Sequence, residues 1–231
     1  MRMVTAAVAI AAVLGISLPA NAGSPDGRIQ VKVLATAVLP RGSLKEVRFA
    51  TPAIAAALPV GADTRADNNY VPTIAIEYFL KPNISLETIC CVTEHDIDGA
   101  GALDGAEGFV ADRKIVPATL TLKYHAATGT AIKPYAGAGP AYFLMFSEKV
   151  GSTARALGAT RAKVSDTAGV ALQAGMDIAL NDKGLGFTLD AKRYFLGDVK
   201  ARWYDDNHAM VLETRHKLDP WVLSAGVAWR F

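Results

Sequence analysis

Acids and bases recur through this sequence at positions from which they can meet in one enclosed place: Lys32, Glu77, Glu87, Lys123, Lys133, Asp177, Asp190, Lys192 and Arg230. Carboxylates beside ammonium groups in a dry site can carry acid–base catalysis. The same set can instead close on itself as ion pairs, because a buried charge must be partnered. Other marks of catalysis do not occur. There is no G-x-S-x-G, and His95, His125, His208 and His216 read as solvated residues of loops or strand ends. Cys90 and Cys91 are adjacent. On an extended strand they point to opposite faces, so they read as small apolar packing residues and not as a disulfide or a metal site. The expectation is no catalytic residue, no metal and no cofactor, and a polar plug made of Lys32, Glu77, Glu87, Lys123, Asp177, Asp190, Lys192 and Arg230. A wet pore lining is the other use of the same side chains.

The elements that must position these groups show a period of two. In RIQVKVLATAVLP, Ile29, Val31, Val33, Ala35 and Ala37 share one face and Gln30, Lys32, Leu34, Thr36 and Val38 the other. YVPTIAIEYFL sets Ile74, Ile76, Tyr78 and Leu80 against Thr73, Ala75, Glu77 and Phe79, and ISLETICCV continues the pattern with Thr88 and Ile89 exchanged. IVPATLTLKY, IKPYAGAGPAYFLMF, TAGVALQAGMDIAL and LGFTLDAKRYF alternate likewise, the last with Arg193 on its apolar face, where it must reach an interface. The chain closes on KLDPWVLSAGVAWRF, with Trp221, Leu223, Ala225, Val227, Trp229 and Phe231 on one side.

The connections alternate too. Long polar stretches run from Arg41 to Asn69, Thr93 to Lys114, Ser147 to Ser165 and Gly197 to His216; short ones fall at Pro82, Thr128-Gly129 and Asn181 to Gly184. A soluble sandwich has no reason to place every long loop at one end, whereas an outer-membrane barrel does. Lipid cannot hydrogen-bond a backbone, so a spanning sheet must close and turn its apolar side chains outward. The fold expected is all-β: an eight-stranded antiparallel up-and-down transmembrane β-barrel over residues 23–231. Residues 1–22 read as a signal peptide, with Arg2, an apolar core from Val4 to Leu18 and Ala20-Asn21-Ala22 before the cut. Tyr78, Tyr124, Tyr142, Trp203, Trp221, Trp229 and Phe231 are expected in the interfacial girdles. Without Arg2 the charged residues number 23 basic (24 less one) and 22 acidic, which gives no nucleic-acid footprint.

In order and spacing, VPATLTLKY, KPYAGAGPAY, ALQAGMDIAL, LDAKRYF and LDPWVLSAGVAWRF resemble the outer membrane protein W (OmpW) family over nearly the whole mature chain. The chain departs from that pattern in the Ala- and Pro-rich stretch from Pro52 to Pro59 and in the paired cysteines. The resemblance implies a narrow barrel whose lumen takes small hydrophobic molecules and releases them sideways through its wall. Eight strands leave a lumen about filled by side chains, so no wide aqueous pore is expected. Trp229 and the terminal Phe231 look like the signal that barrel assembly machinery reads.

Apolar residues on the inward face carry the ligand hypothesis. Leu34, Val38, Ile89, Phe143 and Met145, towards the loop side, can form an apolar antechamber or simply pack the lumen; Phe79 lies near a turn. Pro72 and Pro117, which supply no ladder donor, are candidates for a lateral gate, against the plainer reading that they end strands or shape bulges. The partners expected are the lipid bilayer with its lipopolysaccharide, the assembly machinery and small hydrophobic ligands. The alternative function is a structural or adhesive barrel whose loops meet phage, bacteriocin or host.

Overall fold

The computed structural model describes residues 24–104, 110–146 and 149–231. The leader expected over residues 1–22, with its cut after Ala22, lies outside them.

Eight strands carry the alternating pattern: β1 (Ile29–Leu39), β4 (Asn69–Lys81), β5 (Ile84–Cys90), β7 (Val110–His125), β8 (Ile132–Phe146), β11 (Thr167–Ala179), β12 (Leu185–Leu196) and β15 (Trp221–Arg230). Each pairs antiparallel with its neighbours, and β1 pairs with both β4 and β15, so the sheet closes as an eight-stranded barrel. Closure follows from the sequence: an outward face of Ile, Leu and Val leaves no edge that water or lipid could satisfy. Ile74, Ile76, Leu122 and Leu172 are 51, 50, 52 and 48 % exposed, a fraction that only a hydrocarbon surround makes favourable. The inward set is buried, from Gln30 through Val38 on β1 and from Thr73 through Phe79 on β4. The exchange in β5 persists, with Thr88 outward and Ile89 buried.

Sharp turns join the strands at the end where β15 finishes; Gly184, at φ 78°, takes the left-handed conformation that the turn between β11 and β12 needs. At the other end the structure departs from the sequence reading. The stretches expected as loops are largely folded: β2 (Gly42–Ala50), α1 (Pro52–Ala57), β3 (Ala62–Ala66), β6 (Thr93–Gly101), β9 (Lys149–Val150), α2 (Ser152–Ala156), β10 (Arg161–Val164), β13 (Val199–Tyr204) and β14 (Met210–Leu218). β10, β13, β14 and β2 make a second sheet, while β3 and β6 extend the barrel sheet beside β7. The wall thus rises past the membrane.

This upper storey has its own core of Ile54, Val150, Ala154, Ala162, Ala201, Trp203, Val211 and Leu212. Trp203, expected in a girdle, is instead 4 % exposed within that core, because β13 turns Val199, Ala201 and Trp203 inward and Lys200 and Arg202 to water. Two of the histidines read as solvated are likewise buried: His95 and His125 are 3 and 4 % exposed.

Candidate functional site

The lower lumen is filled by a charge cluster contributed by seven strands. Glu87 lies at its centre, with Lys32 Nζ at 3.0 Å, Lys123 Nζ at 2.8 Å and Lys192 Nζ at 3.0 Å, and accepts from Gln173 Nε2 at 2.8 Å. Glu77 takes Lys32 at 2.7 Å, Lys123 at 3.0 Å and His125 Nε2 at 2.8 Å, and the Ser85 hydroxyl donates to it as well. Asp190 accepts from Lys192 at 2.7 Å, Gln173 at 2.6 Å and the Tyr135 hydroxyl at 2.8 Å. Asp177 stands at the edge, 3.5 Å from Lys32. The Tyr135 ring lies under the Lys123 ammonium at 3.7 Å, in room that Gly175 leaves: a Cβ there would sit 2.6 Å from the ring.

Lys32, Lys123 and Lys192 are each 1 % exposed, and Glu77 and Glu87 are 0 and 2 % exposed. A wet lining would leave these heads in water, but here every one is spent on a neighbour. Arg230 joins from below: its Nε donates to the Gly27 carbonyl at 2.7 Å and its guanidinium lies 3.6 Å from the Phe79 ring. It therefore faces the mouth of the barrel on the short-turn side, not the cluster's centre. Phe79 belongs to that mouth, tilted against His125 at 5.1 Å.

Above the charges the lumen turns apolar. Leu34 and Ile89 pack with Ala75 and Cys91, while Val38, Phe143 and Met145 belong to a second cluster with Ile115, Leu196, Val222 and the fully buried Tyr194. Val71 touches both. The Tyr194 ring meets Phe143 edge-on at 5.0 Å, forming a floor. Over that floor, inside the raised wall, lies a cavity of about 90 Å³. Ile115 and Met145 line it from below, Val199, Trp203 and Leu212 from one sheet, and Leu58 and Leu103 from the connections. It reaches the surface beside Ser43, Val47 and Lys217, which are exposed. Its polar spot is His216, bonded to Thr64 at 3.1 Å and Thr214 at 2.6 Å, and burial pushes its imidazole down to about 4, so it is neutral above that pH. Of the inward apolar residues expected to meet a ligand, Met145 lines the cavity directly; Leu34, Val38, Ile89 and Phe143 pack beneath it.

Between β4 and β7 the wall is interrupted at one height. The β5–β7 ladder ends at Thr88↔Leu120 and the β6–β7 ladder starts at Thr93↔Ile115, the same five-residue step on both sides (93 − 88 and 120 − 115). A continuous ladder would put Cys91 opposite Pro117, but Cys91 and Val92 belong to no strand. On β4 the last rung to β5 is Ile74↔Cys90, and the next two would face Thr73 to Cys91 and Pro72 to Val92. Pro72 and Pro117 therefore flank one and the same break. Pro72 turns outward and Pro117 inward.

A family model for OmpW matches residues 25–231. The chain belongs to the OmpW family. It is 34 % identical over 174 residues to an uncharacterised outer-membrane protein, y4mB, of Sinorhizobium fredii, covering 74 % of this chain and 70 % of that one. Outer membrane protein W of Vibrio cholerae is 26 % identical over 160 residues, 68 % of this chain and 72 % of the other. The crystal structure of OprG from Pseudomonas aeruginosa superimposes with a TM-score of 0.72 at 25 % identity, covering 91 % of this chain and 99 % of that one. The solid-state NMR structure of AlkL in lipid bilayers shares the fold, with a TM-score of 0.67 at 21 % identity over 91 and 92 % of the two chains. This OmpW-family barrel resides in the outer membrane.

Sequence reasoning missed His125, Ser85, Tyr135 and Gln173 as members of the charge cluster. Their signal was present: each lies in phase with an inward acid or base on its strand or beside it, as His125 follows Lys123 by two.

Proposed function

We propose that this barrel is a passive route for small apolar molecules, which enter the upper cavity from outside, stop above the charge cluster and leave sideways into the membrane at the Cys91–Val92 break. The observation that carries the reading is the stacking of an apolar cavity, a wall break and a sealed charged floor in that order. Apolar cavities of about 150 Å³ stay dry and take up benzene, so a cavity of this order suits a compact apolar solute. Each methylene drawn from water contributes about 0.8 kcal/mol. The cluster below acts as a plug, because an apolar solute cannot replace the ion pairs it would have to part. A route to hydrocarbon at the break needs only the displacement of side chains there, since the backbone rungs beside Pro72 and Pro117 are already missing. The charged groups are thus read as a barrier and not as catalysts: their partners are one another.

The test replaces Pro72 and Pro117 with Val, which restores two ladder donors, and follows uptake of a small hydrophobic compound by cells carrying the assembled barrel. Uptake should fall several-fold. Unchanged uptake with the barrel assembled refutes lateral release at this break. Uptake no greater than in cells without the protein refutes passage altogether and favours a barrel that presents its raised wall, where Val47 and Phe49 are exposed.

A further inference from the structure

Arg193 is an arginine on the lipid-facing side of a membrane strand. Its ladder partners are the outward Leu172 on β11 and Trp221 on β15. From Leu185 to Arg193 the strand rises about 26 Å, or about 20 Å across a membrane at the usual tilt, against an apolar band about 25 Å tall. Arg193 thus stands at the outer girdle, level with Trp221. A guanidinium at that depth must reach an anion or water.

Its conformation is fixed. The guanidinium lies 5.4 Å from the Trp221 ring and 5.6 Å from the Phe195 ring, and Nη1 donates to the Asp219 carbonyl. Asp219 also holds a second cation, Lys217. Its carboxylate pairs with Lys217 Nζ at 3.1 Å and accepts from the Leu196 amide at 3.0 Å, and its own amide donates to the Arg41 carbonyl at 3.2 Å. Asp219 is 6 % exposed, whereas the Lys217 side chain is 56 % exposed and Arg41 is exposed. Two cations therefore meet at Asp219, Arg193 on its carbonyl and Lys217 on its buried carboxylate, and the one positive charge in excess faces the outer leaflet. Two aromatic rings hold the fork of one of them, leaving little side-chain entropy to lose on binding.

We propose that Arg193, with Lys217, forms a seat for a phosphate group of a glycolipid in the outer leaflet. A phosphate monoester carries about one and a half to two negative charges, which the excess positive charge attracts, and its oxygens suit the arginine fork. The acyl chains of the same molecule would lie down the apolar outer face of β11, β12 and β15. Arg193 stands on the outer wall away from the passage, while Lys217 also borders the cavity's mouth, so lipid retention is read on the purified barrel without solute.

The experiment uses the full barrel in detergent and compares its retention of a diphosphorylated lipid A with that of the dephosphorylated form, by native mass spectrometry. The unaltered protein should prefer the phosphorylated lipid by about tenfold, equivalent to about 1.4 kcal/mol. In an Arg193→Gln, Lys217→Gln protein the preference should disappear, and Arg193→Lys alone should keep part of it. Strand circular dichroism confirms that each variant is folded. If the unaltered protein holds both lipids equally, the seat does not exist and Arg193 merely reaches for water. If the double variant keeps its preference, the phosphate binds elsewhere. If millimolar inorganic phosphate abolishes the preference, the site takes the free ion and the lipid assignment falls.

Discussion

Glu87 has three ammonium groups at 2.8–3.0 Å and accepts from an amide, all among side chains almost wholly buried at that level of the lumen. Removing one member of such a cluster leaves the others charged and unpaired, which is costlier than never having buried them. Glu87→Gln keeps the size but turns an amide N–H₂ towards lysines that need an acceptor. It should lower stability by about 3–5 kcal/mol, read from urea unfolding in lipid vesicles. A loss below about 1 kcal/mol would mean that water reaches the cluster and that it is no plug. His216 tests the upper storey in the same spirit. Its imidazole titrates at about 4 when folded and near 6.5 when free. Between those values the unfolded chain binds the extra proton, so the β13–β14 region should lose stability as pH falls from 6.5 towards 4, with no further loss from this group below 4. Hydrogen exchange of β13 and β14 amides measures it, and His216→Asn should flatten the dependence.

At the scale of elements, period two was enough to locate all eight barrel strands and to assign Lys32, Glu77, Glu87, Lys123, Asp190 and Lys192 to the inside. Lipid demands an unbroken apolar face, and such a face is visible in sequence. The same period failed above the membrane for a physical reason. In VKARWY the buried face is Val199, Ala201 and Trp203, but the other face meets water and carries Lys200 and Arg202, so the stretch reads as polar. Arg202 pairs with Glu213 across the ladder to β14 at 2.7 Å and holds that carboxyl below its usual range, an arrangement of a water-facing sheet and not of a loop. The cavity was therefore invisible in sequence, since most of its lining comes from segments read as loops. The wall break was half visible. Pro72 and Pro117 could be flagged from composition, but that they flank one interruption depends on the register of three ladders among four strands.

The molecule as a whole depends on closure. β1 must find β15, which follows it by nearly the full length of the chain, and until it does both strands present open edges to lipid. Phe231 completes that seam: the Ile29 amide donates to the Phe231 carbonyl at 3.1 Å and the Phe231 amide donates to the Ile29 carbonyl at 2.7 Å. Its neighbour but one, Trp229, faces Val31 on one side and Leu185 on the other. Phe231 can thus act in two ways, as the last rung of the seam or as the mark by which assembly machinery takes hold of the closing strand. The two are separable because a lost rung weakens the folded barrel wherever it is made, at about 0.5–1.5 kcal/mol for each net hydrogen bond, whereas a lost mark matters only in the cell. Deleting Phe231 should cut the amount of barrel inserted in the outer membrane several-fold, while refolding of the same chain from urea into detergent micelles should proceed to nearly the yield of the intact protein. Equal losses in both settings would assign Phe231 to the seam alone. Insertion unaffected in cells would show that the terminal aromatic residue is no assembly signal in this chain.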